Sequence, residues 1–277
     1  MGRRFDALIA AILLTAQASA AMFAPPLDRP LRAVTEMART DAGVTRRFTN
    51  ARRIVFRRQG EDYRAEVTLE AGTPVAEGDD DPAAMFRAGF ARIAGRTVVL
   101  HLDSAGRVTA IEDQAAVWKA FLDGIAALAP AGSGDLDRKR AGRIRAILTM
   151  LAPMPPERQR ATLASLVEPL IAADIAAAGE SPPRAVRVPA GPAFGAAQLS
   201  GLRSVRRAAG KLEVVVTAEG PVAIAGPDAA AQGRMSLETL RRVDPASALV
   251  IESREEVRTR LPDGSTVSER TTTTRLE

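Results

Sequence analysis

Residues 52–70 read RRIVFRRQGEDYRAEVTLE, and the fold follows from the way this stretch alternates. Ile54 and Phe56 are one residue apart, as are Tyr63, Ala65, Val67 and Leu69, with charged or polar side chains between most of them. A period of two belongs to a strand with one wet face. Gln59-Gly60-Glu61-Asp62 supplies a turn, so the stretch is predicted to be a hairpin. A two-residue turn at Gly60-Glu61 sets Ile54 opposite Val67 and Phe56 opposite Ala65. That register gathers the apolar side chains on one face, and a slip of one residue divides them. Val55 and Arg57 share the other face with Glu66 and Arg64. A sheet dry on one side and wet on the other is an antiparallel sheet.

The same patterning recurs towards both ends of the chain. Thr97–Leu102 and Arg107–Ile111 form a second predicted hairpin across Asp103-Ser104-Ala105-Gly106. Leu199–Arg207 and Lys211–Ala218 flank Ala208-Ala209-Gly210, and Met235, Leu237, Thr239, Arg241 and Val243 alternate along a further strand. Asp244-Pro245-Ala246-Ser247 turns the chain into Leu249–Leu261, and Asp263-Gly264, a strong hairpin signal, turns it into Thr266–Leu276. A two-residue turn there pairs Ile251 with Leu276, Glu256 with Thr271 and Arg258 with Glu269. The charges from Glu252 to Arg260 alternate in sign and read as a solvated face. Thr271 to Thr274, with Arg275, have no apolar partner and read as a polar edge strand.

Helical spacing occupies the stretches between. After Pro30 a short helix is expected, with Asp28 as cap and Leu31, Val34 and Met37–Ala38 on one face. Gly72 to Pro82 reads as loop, and residues 83–94 as a helix using Met85, Phe86, Phe90 and Ile93. Asp113 caps a helix in which Val117, Trp118, Phe121, Leu122, Ile125 and Leu128 recur at intervals of three and four. A loop at Pro130–Gly134 precedes a basic helix, 136–151, whose apolar positions are Ile144, Ile147, Leu148 and Leu151. Pro153, Pro155 and Pro156 end it, and Pro156 suits the first turn of the next helix. That helix runs through Leu163, Leu166, Val167, Leu170, Ile171 and Ile175, and Pro169 kinks or splits it. Gly179 to Gln198, rich in Pro, Gly and Ala, reads as a long connection.

The expected fold is α+β. A curved, mostly antiparallel, half-barrel-like sheet takes strands from both ends of the chain, and the central helices of 113–178 pack on one face. Residues 21–277 form a single domain in this reading. In plan it is similar to the half-barrel periplasmic carriers of lipoproteins and lipids, in which a curved sheet covered by helices encloses an apolar hollow. The likeness is one of architecture, since no sequence motif carries it.

The amino terminus points to export. Arg3 and Arg4 precede an apolar run, Ala7–Ala16, and Gln17-Ala18-Ser19-Ala20 follows. These are the positive, apolar and small-residue regions of a signal peptide, 1–20, with cleavage expected after Ala20. The residues around Arg3-Arg4 fit a twin-arginine signal poorly. An apolar run of this length falls short of the roughly 20 residues that a membrane span needs, and no later segment reaches that length without charge. Cleavage removes two arginines and one aspartate and takes the net charge from +5 to +4. The mature chain is expected to be periplasmic or secreted, without a transmembrane span.

Composition excludes several chemistries. The absence of cysteine rules out disulfides, thiolate catalysis and Cys-ligated metals, and one histidine rules out a His-rich metal site. Aromatic residues, at 4%, are too few for base- or sugar-stacking platforms. The basic balance, with lysine only at Lys119, Lys139 and Lys211, is carried by arginine. Export argues against nucleic acid as its partner, leaving anionic envelope surfaces or a simple solvated face.

Candidate sites are few. His101 and Asp103 share a strand face opposite Val98, Leu100 and Leu102, with Ser104 next in sequence. A two-residue strand spacing does not itself supply triad geometry, so His101 reads as a surface side chain. Asp79-Asp80-Asp81 lacks the spacing of a calcium loop, and Asp135 and Asp137 are followed at once by Arg138, Lys139 and Arg140. Trp118 reads as core and Tyr63 as a cover for Arg58. No nucleophile elbow, zinc helix or phosphate loop occurs. No catalytic, cofactor-binding or metal-binding residue, and no cofactor, is therefore assigned. The leading functional expectation is a non-catalytic exported protein that binds an apolar small molecule, a lipid or an envelope protein between sheet and helices. The alternatives are a structural or adaptor protein acting through its surface, and a hydrolase using convergent carboxylates or His101.

Overall fold

The computed structural model describes residues 23–41, 43–71, 82–129, 134–191, 196–224 and 231–277. The hairpin at 52–70 has the predicted register: β2 (Val44–Gln59) pairs with β3 (Asp62–Leu69) so that Ile54 faces Val67 and Phe56 faces Ala65. Around it the described residues form one unclosed sheet of eleven strands. β1 is Pro30–Asp41, β4 Thr97–Leu102, β5 Val108–Ile111, β6 Ser181–Pro189 and β7 Gln198–Ala208. β8 is Lys211–Ile224, β9 Ala231–Asp244, β10 Leu249–Arg260 and β11 Thr266–Leu276. The spatial order is β5-β4-β3-β2-β1-β11-β10-β9-β8-β7-β6, and neighbouring strands pair antiparallel throughout.

The helices are α1 (Pro82–Arg92), α2 (Gln114–Ala126), α3 (Asp135–Leu151), α4 (Pro156–Ala164) and α5 (Ala173–Ala178). They pack on one side of the sheet, and the α+β expectation holds. Ile54, Phe56, Val67, Leu69, Val98 and Leu100 from the strands share a core with Trp118, Phe121, Ile125, Ile144, Leu151 and Leu163 from the helices. Pro156 stands in the first turn of α4, and the chain around Pro169 is split into a 3-10 turn, Glu168–Leu170, and α5. Among the described residues no helix is long and apolar enough to cross a membrane.

Four local expectations are corrected. Leu31, Val34 and Met37 have helical spacing, yet they lie in β1, paired with β2 on one side and β11 on the other. Ladders on both edges outweigh the weak helical preference of a short segment that carries β-branched Val34, Thr35 and Thr40. Thr271 to Thr274 belong to no edge: β11 sits at the sheet centre, with Thr272 between Met37 of β1 and Glu255 of β10. Gly179 to Gln198 is not plain connection but contains β6, whose Pro182, Pro183 and Pro189 are tolerated because an edge strand can spare amide donors. Asp113 does precede α2, but in a left-handed conformation and without a side-chain cap bond.

The β10–β11 register is as expected for Glu256 with Thr271 and Arg258 with Glu269. The described pairing starts at Glu252 opposite Arg275, and a bulge follows Thr259. The turn is accordingly longer than two residues: the Leu261 amide donates to the Ser265 carbonyl, and Gly264 takes φ +85°.

Candidate functional site

The two faces of the sheet differ in chemistry. On the face away from the helices, opposite charges form a lattice across the strands. Arg206 meets Glu213 at 2.7 Å, Arg242 bridges Glu213 and Glu252 at 3.3 and 2.8 Å, and Arg275 approaches Glu252 at 3.9 Å. This lattice therefore runs from β7 to β11. Glu213 is held below the usual carboxylate range, first by its hydrogen bond to Arg206, against the opposing effect of burial. Further along, Arg254, Glu256, Arg258 and Glu269 continue the pattern. The predicted solvated charge face is present, with Glu255 as the exception: it points the other way and pairs with Arg270 at 2.7 Å.

The helix-bearing face has three zones. Beneath the helices lies the apolar core already described. At the β7–β9 end a second buried cluster contains Leu199, Ala218, Val222 and Met235. Between them the register places Thr35, Thr274, Thr272, Ser253, Glu255 and Thr239 in one belt. The Thr35 and Thr274 hydroxyls are 3.0 Å apart. The belt is mostly polar and rich in arginine, with Met37 and Phe48 as apolar members: Arg39, Arg46, Arg270 and Arg241 occupy the same face, with Asp41 and Glu255 as its strand carboxylates. Asp41 already pairs with Arg39 at 2.7 Å.

At the boundary between core and belt sits Arg52. Its cross-strand neighbours are Ala33 and Leu69, and Ile54 is next on its face. Only 8% of its surface is exposed, and its Nε has no hydrogen-bond partner among the described residues. Burial alone pulls its guanidinium down to about 10. Sequence reasoning passed over this residue, although its place in phase with Ile54 and Phe56 was the signal that it points inward.

A cleft of about 620 Å³ opens where the β4–β5 turn meets the 3-10 turn and α5. Phe23, Ile171, Ala173 and Ala177 give it an apolar part, and Ser104, Arg107, Glu168 and Asp174 a polar one. Phe23 is fully buried, set edge-on to Phe56 and Tyr63 with ring centroids 5.6 and 5.1 Å away. Gly106 is needed at its edge, because an added Cβ would lie 2.8 Å from Ile171 Cγ2 and 3.0 Å from the Phe23 ring. Neither Phe23 nor Gly106 carries a sequence signal for this role, since the cleft assembles from segments far apart in the chain.

No protein-family model matches the chain, and no curated protein does. Its own side chains are therefore the ground for any functional reading. His101 lies on the outer face, its Nδ1 2.9 Å from Gln59 Oε1 and its Nε2 3.2 Å from Glu112 Oε1. Asp103 does not orient it; the Asp103 carboxylate accepts the Ala105 and Arg107 amides and closes the β4–β5 turn. Asp135 pairs with Arg138 at the start of α3. Asp79-Asp80-Asp81 lie outside the described residues, as do residues 1–22. Among the described residues no cluster of three His, Cys, Asp or Glu side chains could hold a metal ion. Trp118 and Tyr63 take the expected places: Trp118 stacks on Phe121 in the core, and the Arg58 guanidinium lies 4.8 Å from the Tyr63 ring centroid.

Proposed function

We propose that this is an exported, non-catalytic binding protein that takes the apolar part of a small molecule or lipid in the cleft between sheet and helices. The observation that carries the reading is the cleft at Phe23, whose volume of about 620 Å³ lies within the range of small-molecule sites. Its chemistry fits as well: an apolar wall of Phe23, Ile171, Ala173 and Ala177 beside a few polar groups suits an apolar ligand with a polar end. The signal-peptide pattern at 1–20 supports a place outside the cytoplasm.

The test has two stages. Expressed with its own amino terminus in a gram-negative host, the chain is expected in the periplasmic fraction with a mass that begins at Ala21. Native mass spectrometry of that material is expected to show a co-purifying lipid, and Ala177→Trp, which fills the cleft, is expected to remove it. A wild-type protein without ligand, or a ligand retained by the variant, overturns the cleft reading. A second reading, an adaptor acting by its surface, is favoured by α3, where Leu136 and Met150 are exposed beside Lys139. A stable protein complex in the same spectra supports it.

A further inference from the structure

We infer that Arg52 is the anion-binding point of a second ligand site, on the helix-bearing face, which takes the carboxylate or phosphate of an amphiphile. The inference does not depend on the cleft at Phe23. A guanidinium removed from water without a counter-charge is costly, and such groups are normally paired. Arg52 is buried against Ala33, Leu69 and Ile54 instead. Among the described residues, the strand carboxylates on its face are engaged elsewhere, Asp41 by Arg39 and Glu255 by Arg270. Arg39, Arg46, Arg241 and Arg270 on the same face add a positive field towards the belt. An oxyanion brought to Arg52 supplies the missing partner, and the planar fork suits two-pronged recognition of carboxylate or phosphate.

The position also says what the anion is attached to. Arg52 marks the line where apolar residues give way to Thr35, Asn50 and the arginine belt. A molecule with a charged head and an aliphatic tail matches that line, its head at the guanidinium and its tail against the partly buried Leu276. The competing role, a structural arginine whose stem fills space while its head reaches for water, predicts no preference among ligands.

Calorimetric titration of the mature protein with oleate, with monoolein and with inorganic phosphate separates these cases. Oleate is expected to bind about tenfold or more tighter than monoolein, the scale of a charge-assisted hydrogen bond. Arg52→Met is expected to abolish that margin while melting no lower than wild type, and Arg52→Gln serves if the methionine variant does not fold. Competition by phosphate shows that the anion alone is recognised, and oleate without such competition shows that the tail is required; both support the site. Equal affinity for oleate and monoolein, a margin that survives the substitution, or no oleate binding overturns it. Ala177→Trp keeps the two sites apart: it is expected to leave the oleate preference intact.

Discussion

Tyr63 fastens the segment at Phe23 to the sheet. Its hydroxyl donates to the Phe23 carbonyl at 2.6 Å and accepts from Arg58 Nη1 at 2.7 Å. Tyr63→Phe keeps the ring but leaves a buried carbonyl unpaired, which costs about 1–3 kcal/mol. The expected result is a lower urea midpoint with an unchanged slope, and faster amide exchange at Ala24 and Asp28, whose amides bond to Ser247 and Phe56. Gly124 makes a different demand. A Cβ there would stand 2.3 Å from the Ala88 carbonyl oxygen and 2.9 Å from Gly89 Cα, so α1 and α2 cross with their backbones in contact. Gly124→Ala gains the helix preference of alanine, worth about 1 kcal/mol, but forces the helices apart at a cost of about 1–3 kcal/mol. A net fall in melting temperature is expected, and a rise would show that the crossing is loose.

Elements were legible where alternation was unbroken. The β2–β3 register could be read residue by residue, and the β4–β5 hairpin and the alternating strand β9 as elements, because apolar side chains recur there at every second position. Legibility failed where long-range pairing decided. Leu31 and Val34 satisfy a helical spacing, and Thr271 to Thr274 look like an edge, until β1 and β11 are known to pair with each other. Nothing local announces that partner, since Thr35 and Thr274 lie 239 residues apart. The candidate site was less readable still: Arg52 was in phase with the core, but its lack of a partner is a property of three strands together. The central place of β11 has a direct test. Proline at Thr272 removes a ladder amide from a strand flanked by β1 and β10, where proline is essentially never found. Thr272→Pro is expected to abolish folding as judged by near-ultraviolet dichroism. An edge strand would tolerate it.

At the scale of the whole molecule, the pairing of β1 with β11 makes one sheet of two sets of strands. β1 joins β2–β5 to the carboxy-terminal strands, and the Arg32 and Glu277 backbones exchange amide–carbonyl bonds at 2.9 and 2.8 Å. The same Arg32 grips Glu70 on the outer face at 2.9 Å, and its hydrogen bond, the leading cause, holds the Glu70 carboxyl below its ordinary value. Glu219 is lowered in the same way by Arg234. Asp244 is lowered too: burial opposes this, but hydrogen bonds from Ser247 and Lys211 prevail. The sheet's wet face therefore stores a common dependence on pH. A carboxylate whose folded pKa lies below its unfolded value of about 4 contributes stability above that value. It loses the contribution as pH falls through the folded one. The urea midpoint is accordingly expected to be level from pH 8 to about 5 and to drop steadily below about 4. These pairs are largely exposed and open to screening, so 1 M salt should flatten the drop. A midpoint that is insensitive to acid, or an acid loss untouched by salt, would show that the lattice follows the sheet without helping to hold it.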